Sequence, residues 1–580
     1  MNETPMTTDV LVVGSGPAGA TTALLLARHG LDVTMVTRSR WVADSPRAHI
    51  TNQRTMEVMR AAGLGPAVRA ASTAGAQMAN HVLCTALNGT ECGRVWSWGG
   101  DPARRGEYLT ASPELGCDIP QERLEPILVG EAARRGVHVR FETKFTGLTQ
   151  DDEGVDVTLE DQRDGRAFTL RAKYVVGADG GQSRVAEAIG LPLRGEAGVG
   201  NAMNVRFTAD LSRYVADRPG SLFEVIQPER EGELGHGMLR MVQPWHDWVA
   251  GFVHLGERNA TLTDEEAIAE VRALVGDADL DVQITGLFPW RINHVVADHY
   301  RVGRVLCAGD AVHRHPPMNG LGANTCIQDG FNLAWKLAFV LKGLAGDGLL
   351  DTYSAERQPV GAQIVDRAIA SWHQGRELLQ ALHVHPGMPA DERRAQFAVL
   401  SALTDEGAAR RAEVADVLER KAYIFAAHGV EMNQRYASSA VIADGTDDDF
   451  ARDPELYIQP SARPGARVPH AWVERGGRTV STLDLVSPES FTLIAGVRGG
   501  EWVDAAAAVA AELGVPVVAV RLGFGGDVAD PYREAVARLQ LGEQGALLVR
   551  PDQHIAWRGE GDDTDPRAAL REVLAQVLAR

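Results

Sequence analysis

Val10-Leu11-Val12-Val13 runs directly into Gly14-Ser15-Gly16-Pro17-Ala18-Gly19, and a small-residue stretch continues from Ala18 to His29. An apolar run, a GxGxxG turn and a helix in that order leave few folds open. Each glycine removes a side chain where backbone must approach backbone or a phosphate. A second apolar stretch, Asp32 to Val36, completes a βαβ unit, so the sheet is parallel here. Such a turn sets a helix N-terminus, with its unpaired N–H groups and positive dipole end, against a dinucleotide pyrophosphate. The alternative is a tight strand-to-helix turn that holds nothing. One usual partner is missing: the second strand ends in Met35-Val36-Thr37-Arg38, where an acidic residue commonly binds the adenosine ribose. The ribose contact therefore has no candidate.

At 580 residues the chain exceeds what one hydrophobic core serves, and several domains are expected. After Gly130 come strands at Val137 to Glu142, Val155 to Leu159, Thr169 to Arg171 and Lys173 to Gly177, the last returning to the first sheet. From Leu191 the strands Ala202 to Thr208, Ser221 to Gln227, Gly237 to Val242 and Trp248 to Leu255 alternate with Gly/Pro/Asp turns, which predicts an inserted antiparallel sheet. Val302 to Ala308 is a strand that enters a Gly/Pro/Asn loop and then a long apolar helix, Thr325 to Lys342. The stretch from Leu350 to Arg420 is helix-rich, whereas Ala437 to Arg467 lacks periodicity. Strands at Phe491 to Ala495, Val517 to Leu522 and Gly545 to Arg550 then give a small α/β tail. The expected division is 1–190 and 290–400 for the nucleotide domain, 191–289 for the inserted sheet, 401–466 for a helical and irregular connection, and 467–580 for the tail.

Composition narrows the partners. With 58 basic against 77 acidic residues the net charge is -19, which repels nucleic acid and anionic lipid. Neither is expected as a partner. Cys84, Cys92, Cys117, Cys307 and Cys326 include no CxxC, so the reading is reduced thiols rather than a disulfide framework or zinc ribbon. The opening residues lack the order of a signal peptide, and no uncharged run reaches the ~18 residues of a membrane span. A cytoplasmic location is expected. Asp310, His313 and His315 form Asp-x-x-His-x-His without a further ligand cluster, so no metal is expected.

Two further stretches separate FAD from NAD. In Tyr174 to Arg184 an Asp179-Gly180 turn ends a strand, and in Val302 to His313 a strand delivers Gly309 and Asp310 to its carboxyl end, where open α/β sheets bind ligands. With three such motifs at these separations, the chain resembles the class A flavoprotein aromatic hydroxylases, and their phenol-hydroxylating branch, across essentially its whole length. The resemblance implies an α/β fold: a Rossmann-like FAD-binding domain, an inserted antiparallel-sheet substrate domain and a C-terminal thioredoxin-like domain. No cysteine follows Cys326, so dithiol chemistry is excluded for that last domain.

The resemblance also implies roles. Gly14, Gly16 and Gly19 cradle the pyrophosphate, Arg47 and Gln121 reach the phosphate and ribityl chain, and Asp310 holds ribityl hydroxyls. Asp179 and Gly180 are associated with FAD and NADPH. Pro317, Gly320, Gly322 and Asn324 belong to a loop whose N–H groups and helix dipole face the flavin ring, a placement that physics also favours for an anionic reduced flavin. No second GxGxxG stands between strand and helix, so NADPH, or NADH, is expected to bind transiently.

The activity implied is ortho-hydroxylation of a chlorinated, alkyl or aryl phenol to a catechol with dioxygen, through a flavin hydroperoxide. A phenol with a pKa of roughly 10 needs a base to enrich its ring. His49 is the candidate base, Asp118 the carboxylate that orients it, and Arg240 a substrate-side arginine. Their alternatives are a flavin-positioning or merely satisfied histidine, a solvated or capping aspartate and a salt-bridged sheet arginine. A homo-oligomer is expected. Competing functions are hydroxylation of a polycyclic aromatic polyketide, a flavin reductase or dehydrogenase without oxygen transfer, and a non-catalytic flavin-binding protein.

Overall fold

The computed structural model describes residues 6–230, 236–254, 262–447, 449–561 and 565–580. The expected strand end at Leu255 lies outside the described residues. The first sheet runs His138–Arg140, Val33–Val36, Met6–Val13, Arg166–Gly177, Val305–Cys307 and Arg301–Val302 in spatial order. All neighbours are parallel except the last pair. Val10, Leu11 and Val12 are wholly buried, as a strand covered on both faces by helices must be.

Two expectations change here. Thr169 to Arg171 and Lys173 to Gly177 form one strand, Arg166–Gly177. Ala172 pairs with Thr8 on one side and Val155 on the other, so nothing breaks the chain between them. Conversely, Val302 to Ala308 divides into a hairpin, because Gly303 takes φ +58° and turns the chain between Val302 and Val305.

The second sheet orders His313–Arg314, Gln283–Ala297, Leu193–Thr208, Asp247–His254, His236–Gln243, Leu222–Ile226, Asn80–Cys84 and Glu91–Trp96. It thus recruits residues 80–96 from within the first segment, and its strand Gln283–Ala297 runs through position 289. One face packs on the helix Asp264–Val275 through Phe207, Leu239, Trp248 and Phe252. The other face carries Leu222, Met238 and Arg240, since Leu222 pairs with Arg240 and residues two apart share a face.

The tail sheet orders Val517–Arg521, Phe491–Ala495, Ala546–Val549 and Ile555–Gly559. Its first pair is parallel and the others antiparallel, with helices Gly500–Leu513 and Pro566–Val577 packed on it. This βα-βα-ββα order is thioredoxin-like. Among the described residues no helix is long and apolar enough to cross a membrane. Four of the cysteines are buried and Cys92 is half-buried; all five are free.

Candidate active site

The three glycines of the first turn differ in what surrounds them. Gly14 has φ +110°, and a Cβ there would lie 2.1 Å from the Ala178 carbonyl oxygen. At Gly19 a Cβ would lie 2.0 Å from the Gly14 carbonyl oxygen. Both positions are filled by the protein's own backbone. Gly16 is open, its nearest neighbour being Glu125 Oε1 at 3.7 Å. The helix Pro17–Arg28 starts there with no side-chain cap and no acidic residue in its first turn. Uncapped N–H groups, a positive dipole end and an open Gly16 fit a pyrophosphate.

A short antiparallel pair, Ile50–Thr51 with Cys117–Asp118, joins the two remote segments that carry the candidate residues. Ile119 N–H donates to the His49 carbonyl at 2.8 Å, and Gln121 N–H to the Arg47 carbonyl at 2.9 Å. Arg47, His49, Asp118 and Gln121 are therefore neighbours. His49 is buried, with Nε2 2.9 Å from the Pro46 carbonyl and Nδ1 3.4 Å from Asp118 Oδ1. Arg240 reaches from the second sheet to donate to Asp118 Oδ2. Burial alone would raise the Asp118 carboxyl, but the Arg240 guanidinium and the His49 ring outweigh it and hold the group below its ordinary value. His49, Asp118 and Arg240 thus form one contiguous group.

Beside it stands the loop before the long helix. Asn319 and Gly320 take φ +67° and +64°, and the helix spans Gly322–Leu341, again without a cap or an acidic first turn. It begins three residues earlier than expected. Asn324 clasps this loop to the Ile50 strand: its Oδ1 accepts from Asn52 N–H at 2.9 Å, and its Nδ2 donates to the carbonyls of Ile50 and Gly320 at 2.7 and 2.6 Å. Gly320 packs on Ile50, where a Cβ would come within 3.0 Å, while Gly322 faces His315 at 3.7 Å. Pro317 precedes the loop's turn with φ -70°. Burial lowers the His315 ring to about 4.

Asp310 is exposed at the carboxyl end of Val305–Cys307, in the turn Gly309–Ala311. Behind it, buried Asp329 accepts from Gly309 N–H at 3.0 Å and Arg357 Nε at 2.7 Å, and pairs with His313 Nε2 at 3.0 Å. His313 is therefore tied to Asp329 in the core. Among the described residues no cluster of three His, Cys, Asp or Glu is placed to hold a metal. Asp179 is occupied differently from the other acids: it accepts from the Ser183 hydroxyl at 2.5 Å and from the N–H groups of Arg184 and Val185, which caps the helix Arg184–Ala188. Gly180, at φ +83°, faces open space.

Sequence reasoning missed three features. Glu125 lies beside Gly16, accepts from Ala43 N–H and from the Gln121 amide, and burial raises its carboxyl. Its only sequence signal is an acidic residue one helical turn after Gln121. An apolar cluster that includes Leu222, the strand partner of Arg240, was also unassigned: Leu222, Ile424 and Phe425 with Met238 and Met318. Third is Trp98, whose ring lies 5.6 Å from the Arg240 guanidinium.

Known proteins match the chain along its whole length. The profile described as "FAD binding domain" matches residues 7–368, and "Aromatic-ring hydroxylase, C-terminal" matches 461–580. The chain is 46% identical to a 2,4-dichlorophenol 6-monooxygenase of Delftia acidovorans, over 99% of this chain and 100% of that one. It is 44% identical to a phenol 2-monooxygenase of Pseudomonas sp. strain EST1001, over 99% and 93%. The crystal structure of the flavin-dependent monooxygenase PieE in complex with FAD and substrate superposes with a TM-score of 0.95 at 42% identity, covering 99% of this chain and 100% of that one. Matched along its whole length in sequence and in fold, the chain belongs to the FAD-dependent aromatic-ring hydroxylases.

Proposed function

We propose that this enzyme hydroxylates a substituted phenol ortho to its existing hydroxyl. A phenol, dioxygen, NADPH and a proton give a catechol, NADP and water. The observation that carries the reading is the contiguous group His49, Asp118 and Arg240, set between the FAD-binding sheet and the apolar face formed by Leu222, Met238 and Phe425. The relatives named as acting on dichlorophenol and on phenol support the substrate class.

The open Gly16 turn and the uncapped helix starts fit FAD. Gly14, Gly16 and Gly19 would hold its pyrophosphate, Arg47, Gln121 and Asp310 its phosphate and ribityl chain, and Pro317, Gly320, Gly322 and Asn324 would border its ring. Asp179 and Gly180 are assigned to the nucleotide side, with Asp179 acting through the turn it caps. What a bound flavin supplies here is an electrophilic oxygen drawn from dioxygen after reduction by NADPH.

The protein's part is to make the ring carbon electron-rich and keep it in place. His49 accepts the phenolic proton, because a phenolate directs an electrophile to its ortho and para carbons. The protonated ring can donate at both nitrogens, to the Pro46 carbonyl and to Asp118. Before the transfer the neutral ring keeps its one proton on Nδ1, toward Asp118, so that Nε2 is free to accept and the phenol takes the place of the Pro46 carbonyl there. Arg240 keeps Asp118 ionised, and the apolar wall fixes which carbon is presented.

The test is a His49→Ala variant with intact flavin, offered 2,4-dichlorophenol, phenol and 4-hydroxybenzoate, with products identified by mass and ring position. Hydroxylation at neutral pH should fall roughly 100- to 10,000-fold and recover toward high pH, where the phenol ionises unaided. A wild-type rate in the variant removes His49 as the base. Turnover confined to 4-hydroxybenzoate, or a para product, overturns the substrate class.

A further inference from the structure

Beside Trp98 lies a chamber that is half open to solvent. It has a volume of about 820 Å³ and is bounded by Trp96, Trp98, Tyr108, Leu115, Pro219 and Arg105. Ligand sites span about 300–1,000 Å³, so a single phenol ring would leave most of this one empty. Its walls are mainly aromatic and apolar, with Asn80 and two cations, Arg94 and Arg105, in the lining, which suits a flat, uncharged ring. Nothing in the hydroxylation site accounts for it.

Trp98 belongs to both spaces. One side lines the chamber; the ring also lies over the Arg240 guanidinium and meets Phe425 edge-on, with centroids 5.5 Å apart at 90°. It packs on the cluster of Leu222 and Phe425 that Met238 and Met318 also touch. Its backbone is held at φ +46°, a left-handed conformation that a bulky residue avoids. The neighbours enforce it: Trp98 N–H donates to the Phe425 carbonyl at 2.7 Å, and Gly99 follows at φ +80°, with the Tyr108 ring 2.9 Å from where a Cβ would stand. The indole Nε1 is buried without a partner. A strained aromatic residue with an unused donor, kept in place by its surroundings, marks a functional constraint rather than a packing preference.

We propose that Trp98 is the specificity-determining partition of this enzyme. It limits the phenol presented to His49, Asp118 and Arg240 to one ring with small substituents, and the chamber beside it takes the second ring of a biaryl phenol once the indole is cut back. This rests on the phenol-hydroxylase reading and orders the substrates within it: chloro- and alkylphenols ahead of arylphenols.

The experiment compares Trp98→Ala, Trp98→Phe and Trp98→Ala/Leu115→Trp as flavin-loaded enzymes. kcat/KM is measured for phenol and for 2-hydroxybiphenyl, and binding of each to the oxidised enzyme is followed without NADPH by the flavin absorbance. Trp98→Ala should raise the 2-hydroxybiphenyl-to-phenol ratio about tenfold or more, the scale on which pocket shape discriminates. Trp98→Phe should shift it less, and Leu115→Trp, which refills the chamber, should reverse the gain while leaving phenol unaffected. A ratio within about twofold of wild type in Trp98→Ala, or a gain that Leu115→Trp does not reverse, overturns the partition. Should Trp98→Ala fail to load flavin, the same ratio in Trp98→Phe decides, no shift in either rate or binding being the refutation. Wild-type enzyme that makes no catechol from phenol would sink the phenol reading instead, and the binding ratios would still decide on Trp98.

Discussion

The glycines of the first turn look alike in sequence but do different work in the fold. Gly14 and Gly19 are required by the protein's own backbone, whereas Gly16 leaves open the space that a pyrophosphate would occupy. Gly19→Ala should destabilise the apoprotein, by about 1–3 kcal/mol or more if the helix must shift. Gly16→Ala should leave apoprotein unfolding in urea unchanged while weakening FAD, read as flavin released on dilution. Equal loss of apoprotein stability in both variants would contradict this division. His49 shows the same lesson in another form: its residue type suggested a base, but only the fold reveals that its two nitrogens face Pro46 and Asp118.

Short elements carry the candidate active site. The pair Ile50–Thr51 with Cys117–Asp118 is two residues on each side, yet it fixes four candidate residues relative to one another. The helix His428–Met432 buttresses the site from outside: His428 stacks on Tyr108, with centroids 3.9 Å apart at 7°, and pairs with Gln53 Oε1 at 2.7 Å. Burial pushes the Glu431 carboxyl in this helix up to about 8, from an ordinary 4.5. A carboxyl raised on folding contributes stability that is complete below its unfolded value and is lost as pH climbs through its folded value. The window is therefore pH 4.5 to about 8. Glu431→Gln should flatten the decline of the urea midpoint between pH 5 and pH 9, leaving the variant more stable than wild type at the alkaline end. An unchanged decline would show that Glu431 does not titrate as buried.

The tail domain acts on the site through two helices. Phe491 packs on Trp335 and Phe339 of the helix Gly322–Leu341, with centroids 5.8 and 5.7 Å away. Arg550 donates to Glu356 at 2.6 and 2.8 Å, and Glu356 also accepts from Lys336 at 2.7 Å; all three are fully buried. On the helix Gln53–Ala61, Arg54 reaches Gln553 Oε1 at 2.7 Å and Arg467 pairs with Glu57 at 2.9 Å. Both helices begin at the candidate site, and the tail holds the first near its start, at Arg54 and Glu57, and the second toward its end, at Trp335 and Phe339. A chain ending before residue 461 would expose Trp335 and Phe339 and remove Arg550 from Glu356, which would keep Lys336, Asn332 and Ser438 as partners. It should be recovered as aggregate, with little or no flavin in the soluble fraction. A monodisperse, flavin-loaded truncated protein would refute this dependence.

Local sequence determined a good deal. The Gly14 turn, the Asp310 strand end and the alternation through the inserted sheet were legible because each rests on residues within about ten positions of one another, governed by backbone sterics and side-chain period. The α/β character of the tail was legible for the same reason, whereas its thioredoxin-like order was implied by the family resemblance and its last strand, Ile555–Gly559, was not read. What the sequence left open depends on distant segments meeting. Residues 80–96 join a sheet built mainly from 193–297, with Asn80–Cys84 between Leu222–Ile226 and Glu91–Trp96, because a strand's place in a sheet is set by the neighbours that cover it rather than by its own pattern. Ala172 continues a strand because Thr8 and Val155 flank it. Asp118 stays ionised in the core because Arg240 arrives from 122 residues away, and Glu125 and Trp98 acquire their meaning only from Gly16 and Arg240. The sequence by itself thus determined the strand-turn-helix motifs of the cofactor fold through short-range rules, and the candidate chemistry followed from the family resemblance that those motifs carry. Tertiary structure alone decided which charges face each other and where the substrate space ends, since burial and Coulomb interaction depend on distance in space and not along the chain.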